Sequence, residues 1–123
     1  MSGPFAERIK REEVALTMSF EQESSFTPPL AFPTLQRLLT CLKRPPTWPL
    51  LRAEQDEQTH VLGYAYAAGV PPVWEEDFLL CLTNQKLYLL LHTATGEQEL
   101  AVLAWLQNCL HTSGLATAEF HEP

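Results

Sequence analysis

Apolar and polar residues alternate early in the chain. Val14, Leu16, Met18 and Phe20 interleave with Ala15, Thr17, Ser19 and Glu21, the period-two signature of a strand with one apolar face. Residues 23–29 are rich in Ser, Thr and Pro and read as a loop. The period then lengthens. Leu35, Leu38, Leu39 and Leu42 fall at i, i+3, i+4 and i+7, the stripe of an amphipathic helix. Pro33 opens it, since the ring pre-sets φ and the missing N–H costs nothing in a first turn. Lys43 and Arg44 suit the negative end of the helix dipole, and Pro45-Pro46 stops it.

Residues 49–54 and 58–67 predict two strands joined by the acidic tip Glu54-Gln55-Asp56-Glu57. In the second strand His60, Leu62, Tyr64 and Tyr66 share one face. Val61, Gly63, Ala65 and Ala67 share the other, and their small size predicts a helix packed closely there. Residues 78–82 and 87–91 are almost wholly apolar and flank Thr83-Asn84-Gln85-Lys86. They predict a hairpin of central strands covered on both faces. A turn at Asn84-Gln85 pairs Cys81 with Tyr88 and Asp77 with His92. Thr95 and Gln98 have capping-box spacing, with Glu97 and Glu99 in the first turn. That helix runs to about His111 and is apolar nearly all round over 100–106, predicting deep burial. Gly114 suits the left-handed residue just past its end, and residues 115–120 predict a final strand.

The order β-α-β-β-β-β-α-β predicts an α+β class fold, a mainly antiparallel sheet of about six strands with two helices packed against it. A length of 123 residues is that of a single domain, with residues 1–11 as a loose N-terminal arm. Apolar residues make up 46% and charged residues 19%, a globular balance. The ten prolines cluster between the predicted elements and so punctuate the fold. Cys41, Cys81 and Cys109 are odd in number, widely spaced and set in apolar runs, and residues 1–10 lack an apolar leader core. Both features predict reduced thiols and a cytoplasmic location. No apolar run approaches ~18 residues, so no membrane span is expected.

Charge changes the picture most. Residues 53–123 hold ten acids against one base, Lys86, whereas residues 1–52 hold seven bases against five acids. The net charge is −7. A field of that sign attracts a basic protein partner and repels nucleic acid and anionic membrane. Motifs for chemistry are sparse. There is no Cys-x-x-Cys, His-x-x-x-His or His-Glu-x-x-His spacing, no Gly-rich phosphate loop and no Gly-x-Ser-x-Gly elbow. Asp77, Cys81 and His92 fall on one sheet face, but leucines share it, and packing outweighs a metal or thiolate role. No metal and no cofactor is expected. The loop 69–77 is different. Val73 and Trp74 follow Pro71-Pro72 and precede Glu75, Glu76 and Asp77. Trp74 either anchors a basic partner, as interface tryptophans do, or folds back onto the core.

The Leu-rich helix ending in Lys43-Arg44-Pro45, the hairpin-rich middle, the late helix and the close on Ala118-Glu119-Phe120-His121-Glu122 together resemble the small acidic cytosolic immunity proteins of bacterial polymorphic toxin systems. The resemblance implies a non-enzymatic inhibitor that neutralises a cognate basic toxin domain, such as a nuclease or deaminase. Charge and exposure nominate Glu54, Asp56, Glu57, Val73, Trp74, Glu75, Glu76 and Asp77 as its partner-binding residues. Two other classes stay open. One is an acidic secretion chaperone, a homodimer that holds an unfolded segment of an effector. The other is a small enzyme or ligand-binding α+β domain with a pocket lined by His60, Tyr64 and Tyr66.

Overall fold

A computed structural model of the chain describes residues 18–66 and 76–123. The strands are β1 (Met18–Ser25), β2 (Leu50–Asp56), β3 (Thr59–Tyr64), β4 (Phe78–Leu82) and β5 (Lys86–Ala94); the helices are α1 (Phe32–Leu42) and α2 (Gly96–Thr112). The strands form one antiparallel sheet in the order β1-β5-β4-β3-β2. The α+β class is as the sequence predicts, with five strands rather than six among the described residues. Val14, Leu16, Ala67 and the N-terminal arm lie outside the described residues.

The missing sixth strand has a local cause. After α2, Ala118 N–H donates to Leu115 O to form a turn, and Gln107 Nε2 donates to Ala118 O at 2.7 Å. The Ala118 carbonyl is thus taken by the helix rather than by a ladder. The segment meets β1 only at Glu23 and His121, whose backbones exchange hydrogen bonds of 2.8 and 2.9 Å.

One face of the sheet makes the core. His60, Leu62 and Tyr64 stand opposite Leu82, Leu80 and Phe78, which stand opposite Leu87, Leu89 and Leu91. Onto this layer α1 presents Leu38, Leu39 and Leu42, and α2 presents Val102, Leu106, Cys109 and Leu110. Each fully buried leucine contributes about 1.5–3 kcal/mol. Two expectations are corrected. The helices lie over the His60–Leu62–Tyr64 side, not over Val61 and Gly63. Also, α2 buries only one stripe, because its buried residues recur at helical spacing along one side; Leu100 is 68% exposed.

The ends of the helices are built as the sequence suggests. Thr95 Oγ1 accepts from Gln98 N–H while the Gln98 side chain accepts from Thr95 N–H. At the far end Gly114 has φ 84°, its N–H donates to His111 O, and Leu115 N–H donates to Leu110 O. That pair of bonds is a Schellman close, and it needs a residue without a Cβ penalty at Gly114.

Tyr64 joins the layers. Its ring is wholly buried, stacks on Phe78 with centroids 4.5 Å apart, and meets Trp105 edge-on. Its hydroxyl donates to Leu42 O, the last turn of α1, at 2.6 Å. Trp48 plugs the junction between α1 and β2, edge-on to both Phe78 and Trp105. Burial, with the Cys109 and Cys41 thiols adding to it, holds the Tyr64 phenol neutral well above its usual pKa of 10.

Tyr64→Phe keeps the ring stack and strands a buried carbonyl. A loss of about 1–3 kcal/mol in urea unfolding is expected. A loss below about 0.5 kcal/mol would show that the hydroxyl bond does not support the helix–sheet seam.

Candidate functional site

The sheet face turned away from both helices is organised in two cross-strand rows. The first runs Glu23, Tyr88, Cys81, Val61, Glu54 from β1 to β2. The second runs Glu21, Leu90, Leu79, Gly63, Arg52. The alternation of each strand dictates this arrangement, because residues of one parity must share a face. The result is an apolar centre, with Val61, Leu79, Cys81, Tyr88 and Leu90 each half-buried. Acids stand at both edges. The expectation that both faces of the central hairpin are covered is therefore corrected: among the described residues, helices cover one face only. The predicted pairing of Cys81 with Tyr88 is observed.

Several acids on this face are held by local partners. Tyr88 Oη donates to Glu21 Oε1 at 2.5 Å. Lys86 Nζ lies 3.4 Å from Glu23 Oε2, and His121 Nε2 lies 3.6 Å from Glu23 Oε1. On the other side Glu76 lies flat across Gly63, so that a Cβ at Gly63 would overlap Glu76 Cγ. Its Oε1 sits 2.5 Å from Arg52 Nε. The Nε–H is not aligned on that oxygen, so the contact is one of charge rather than a directed hydrogen bond. Arg52 Nη1 is also 3.6 Å from Glu54 Oε2.

The predicted site residues separate into three groups. Glu54, Asp56 and Glu57 are exposed at the β2–β3 hairpin tip, where Glu57 takes a positive φ of 54° in the turn. Glu76 and Asp77 have internal roles. Asp77 Oδ2 accepts from Tyr66 N–H at 2.7 Å, and the Asp77 backbone bonds to Tyr64 O and His92 N–H. Asp77 thus clips the start of β4 to the end of β3, while Glu76 neutralises Arg52. Val73, Trp74 and Glu75 lie outside the described residues. Sequence reasoning missed Glu21 and Glu23, which sit in the half of the chain richer in bases. Their alternation on one strand was the available signal, but only the register with β5 places them at the rim.

Among the described residues no three His, Cys, Asp or Glu side chains gather to hold a metal. Burial pushes the Cys81 thiol up, against a smaller opposing pull from Arg52, and a protonated thiol is a poor nucleophile. The pocket expected from His60, Tyr64 and Tyr66 is not assembled. Tyr64 is sealed in the core, and Tyr66 Oη donates to His92 O at 2.9 Å. His60 instead lines a cavity of about 450 Å³ between α1 and the hairpin tip, beside Leu35, Gln55 and a Phe32 that is 70% exposed. Burial first, and Lys43 second, lower its pKa and keep it neutral.

The exposed bases Arg37, Lys43 and Arg44 lie on α1 and just past its end. The helix layer that carries these cations also carries Glu97 and Glu99 in the first turn of α2, while Glu21, Glu23, Glu54, Asp56 and Glu57 lie along the sheet rim and the hairpin tip. No family model matches the chain, and no curated protein or solved structure matches it either.

Tyr88 reports on the rim. Its bond to Glu21, burial and nearby carboxylates push its pKa up to about 12. A raised acid of this kind stabilises the fold below pH 10, and that contribution is lost as pH rises through about 12. Glu21→Gln should move the Tyr88 transition down toward 10 in an ultraviolet tyrosinate titration, with Tyr88→Phe identifying the band. An unmoved transition would break the assignment.

Proposed function

We propose that this chain is a non-enzymatic inhibitor that docks a basic protein domain, acting as an immunity protein does toward its cognate toxin. The observation that carries the reading is the sheet face that neither helix among the described residues covers, with its apolar centre and its carboxylates at both rims. Interfaces of stable complexes have this anatomy: an aliphatic and aromatic centre that excludes water, and a polar rim that sets partner choice.

Size and charge both bear on the occupant. A five-stranded sheet with a strand length of five residues offers roughly 24 Å by 17 Å. That is about half of the ~800 Å² that each partner contributes to a standard interface. The β2–β3 tip, with Glu54, Asp56 and Glu57, extends the surface beyond the sheet. Five acids, Glu21, Glu23, Glu54, Asp56 and Glu76, share this side with two bases, Arg52 and Lys86. Face-to-face pairing of two copies would set like charges against each other; a basic domain meets the same rim with attraction. Electrostatic steering also accelerates encounter, which an inhibitor of a lethal enzyme requires.

On this reading the protein works in the cytoplasm and needs no cofactor. No helix among the described residues is long and apolar enough to cross a membrane.

The test is co-expression with a basic nuclease or deaminase toxin domain encoded beside the gene, followed by kinetics on the purified pair. Growth should be restored by the native chain and lost with Leu90→Arg, whose melting curve serves as the folding control. Glu54→Lys with Asp56→Lys should slow association about tenfold at low salt. A toxin that kills despite the native chain, or undiminished binding by a folded Leu90→Arg variant, would overturn the proposal.

A further inference from the structure

The cavity of about 450 Å³ that His60 lines sits between the start of α1, the β2–β3 tip and the β4–β5 turn, and it is of ligand-site size. Each wall is pinned. Leu30 N–H donates to Asn84 O and Phe26 N–H to Gln85 O, both at 2.7 Å, so the segment before α1 is tied to the β4–β5 turn. Inside that turn Thr83 Oγ1 accepts from Gln85 N–H and Lys86 N–H. Across the gap Gln55 Nε2 donates to Glu57 O at 3.0 Å and holds the tip.

The lining is rich in acceptors that the fold leaves unused. His60 is only 8% exposed, yet its ring makes no hydrogen bond among the described residues. A polar side chain buried without a partner carries a desolvation cost, which a bound ligand can remove. Glu57 is the one charged residue in the lining, and it has no ion-pair partner among the described residues. Gln36, Gln58 and Asn84 complete the polar wall, and their carboxamides supply further acceptor oxygens. Phe32, 70% exposed, offers the face of an aromatic ring. No Lys or Arg lines the cavity; Lys43, whose charge reaches His60, stands outside it.

We propose that this cavity is an arginine pocket, which seats a guanidinium side chain of the basic domain that docks on the open sheet face. The inference rests on the docking reading and adds the residue that the partner must present beside the tip. Glu57 adjoins Asp56 on that tip, so the pocket continues the docking surface. An anionic ligand would meet Glu57 with no cation in the lining to offset it. A guanidinium meets complementary charge. Its planar fork of N–H donors suits the carboxylate, the carboxamides and the neutral imidazole, and its flat face suits Phe32. Lysine, a compact point charge, would use less of this wall.

The pocket can be tested with the arginine unit alone. Isotope-labelled chain is titrated with N-acetyl-arginine methylamide and with its citrulline counterpart, which keeps the shape and removes the charge. Arginine should shift the amide signals of Gln36, Gln55, Gln58 and Asn84 and bind at least about tenfold more tightly than citrulline. Glu57→Gln should erase that preference, and Phe32→Ala should weaken binding several-fold. Both side chains are exposed, and melting curves check that both variants fold. Equal binding of citrulline, or shifts confined to Glu21 and Glu23, would overturn the pocket. Against the toxin domain, Glu57→Gln combined with Phe32→Ala should cost at least about tenfold in affinity; undiminished affinity would overturn the assignment of the pocket to the partner. A native chain that prefers arginine yet does not bind the toxin domain would sustain the pocket and overturn the docking reading.

Discussion

The hydroxyl of Tyr64 reaches out of a strand next to the sheet centre and satisfies the carbonyl that closes α1. Around that bond the two layers take their positions. The ring beneath it stacks on Phe78 and meets Trp105, and Trp48 closes over both. A helix C-terminus leaves carbonyls without helical partners, and a buried one must find a donor elsewhere. Here the donor comes from the sheet, so the last turn of α1 is fastened to the strand it covers. Because both helices are committed to the Tyr64 side, Leu79, Leu90 and Tyr88 on the opposite side of the sheet are left half-buried among the described residues.

That asymmetry gives apolar strands a second use. β4 and β5 carry leucines on both faces, which in a three-layer protein would simply mean burial twice over. With helices on one side, the same composition yields a core below and a greasy strip above. The acids then matter through where they end up rather than through their number. Glu76 is spent on Arg52 and Asp77 on the Tyr66 amide, while Glu21, Glu23 and Glu54 bound the strip.

Local chemistry was well written in the chain. The helix stripe of Leu35 to Leu42, the Thr95–Gln98 cap, Gly114 and the Cys81–Tyr88 register all depend on residues close in sequence, and each is found where spacing puts it. Failures came where distant parts decide. The last strand was lost because Gln107 captures Ala118. Which face the helices cover depends on Tyr64 and Leu42 meeting, and no local period records that. Of the candidate site, the tip Glu54–Asp56–Glu57 was legible as a polar hairpin turn. The roles of Glu76 and Asp77 were not, because a carboxylate that caps a strand end looks in sequence like any other acid. The rim at Glu21 and Glu23 needed the pairing of β1 with β5.

The same pairing bears on how the chain comes together. β2 to β5 form a meander in which every strand pairs with the next, so this part can zip through short loops. Among the strands β1 pairs only with β5, across most of the described chain, and its other edge meets the chain at the Glu23–His121 bridge. Joining distant segments carries a closure entropy that grows with separation, and such contacts slow folding. Among the described strands β1 leaves the ribosome first, and its partner strand β5 emerges last. Over that interval its backbone is an unpaired strand edge, and its arrival on β5 completes the acidic border along that side of the sheet.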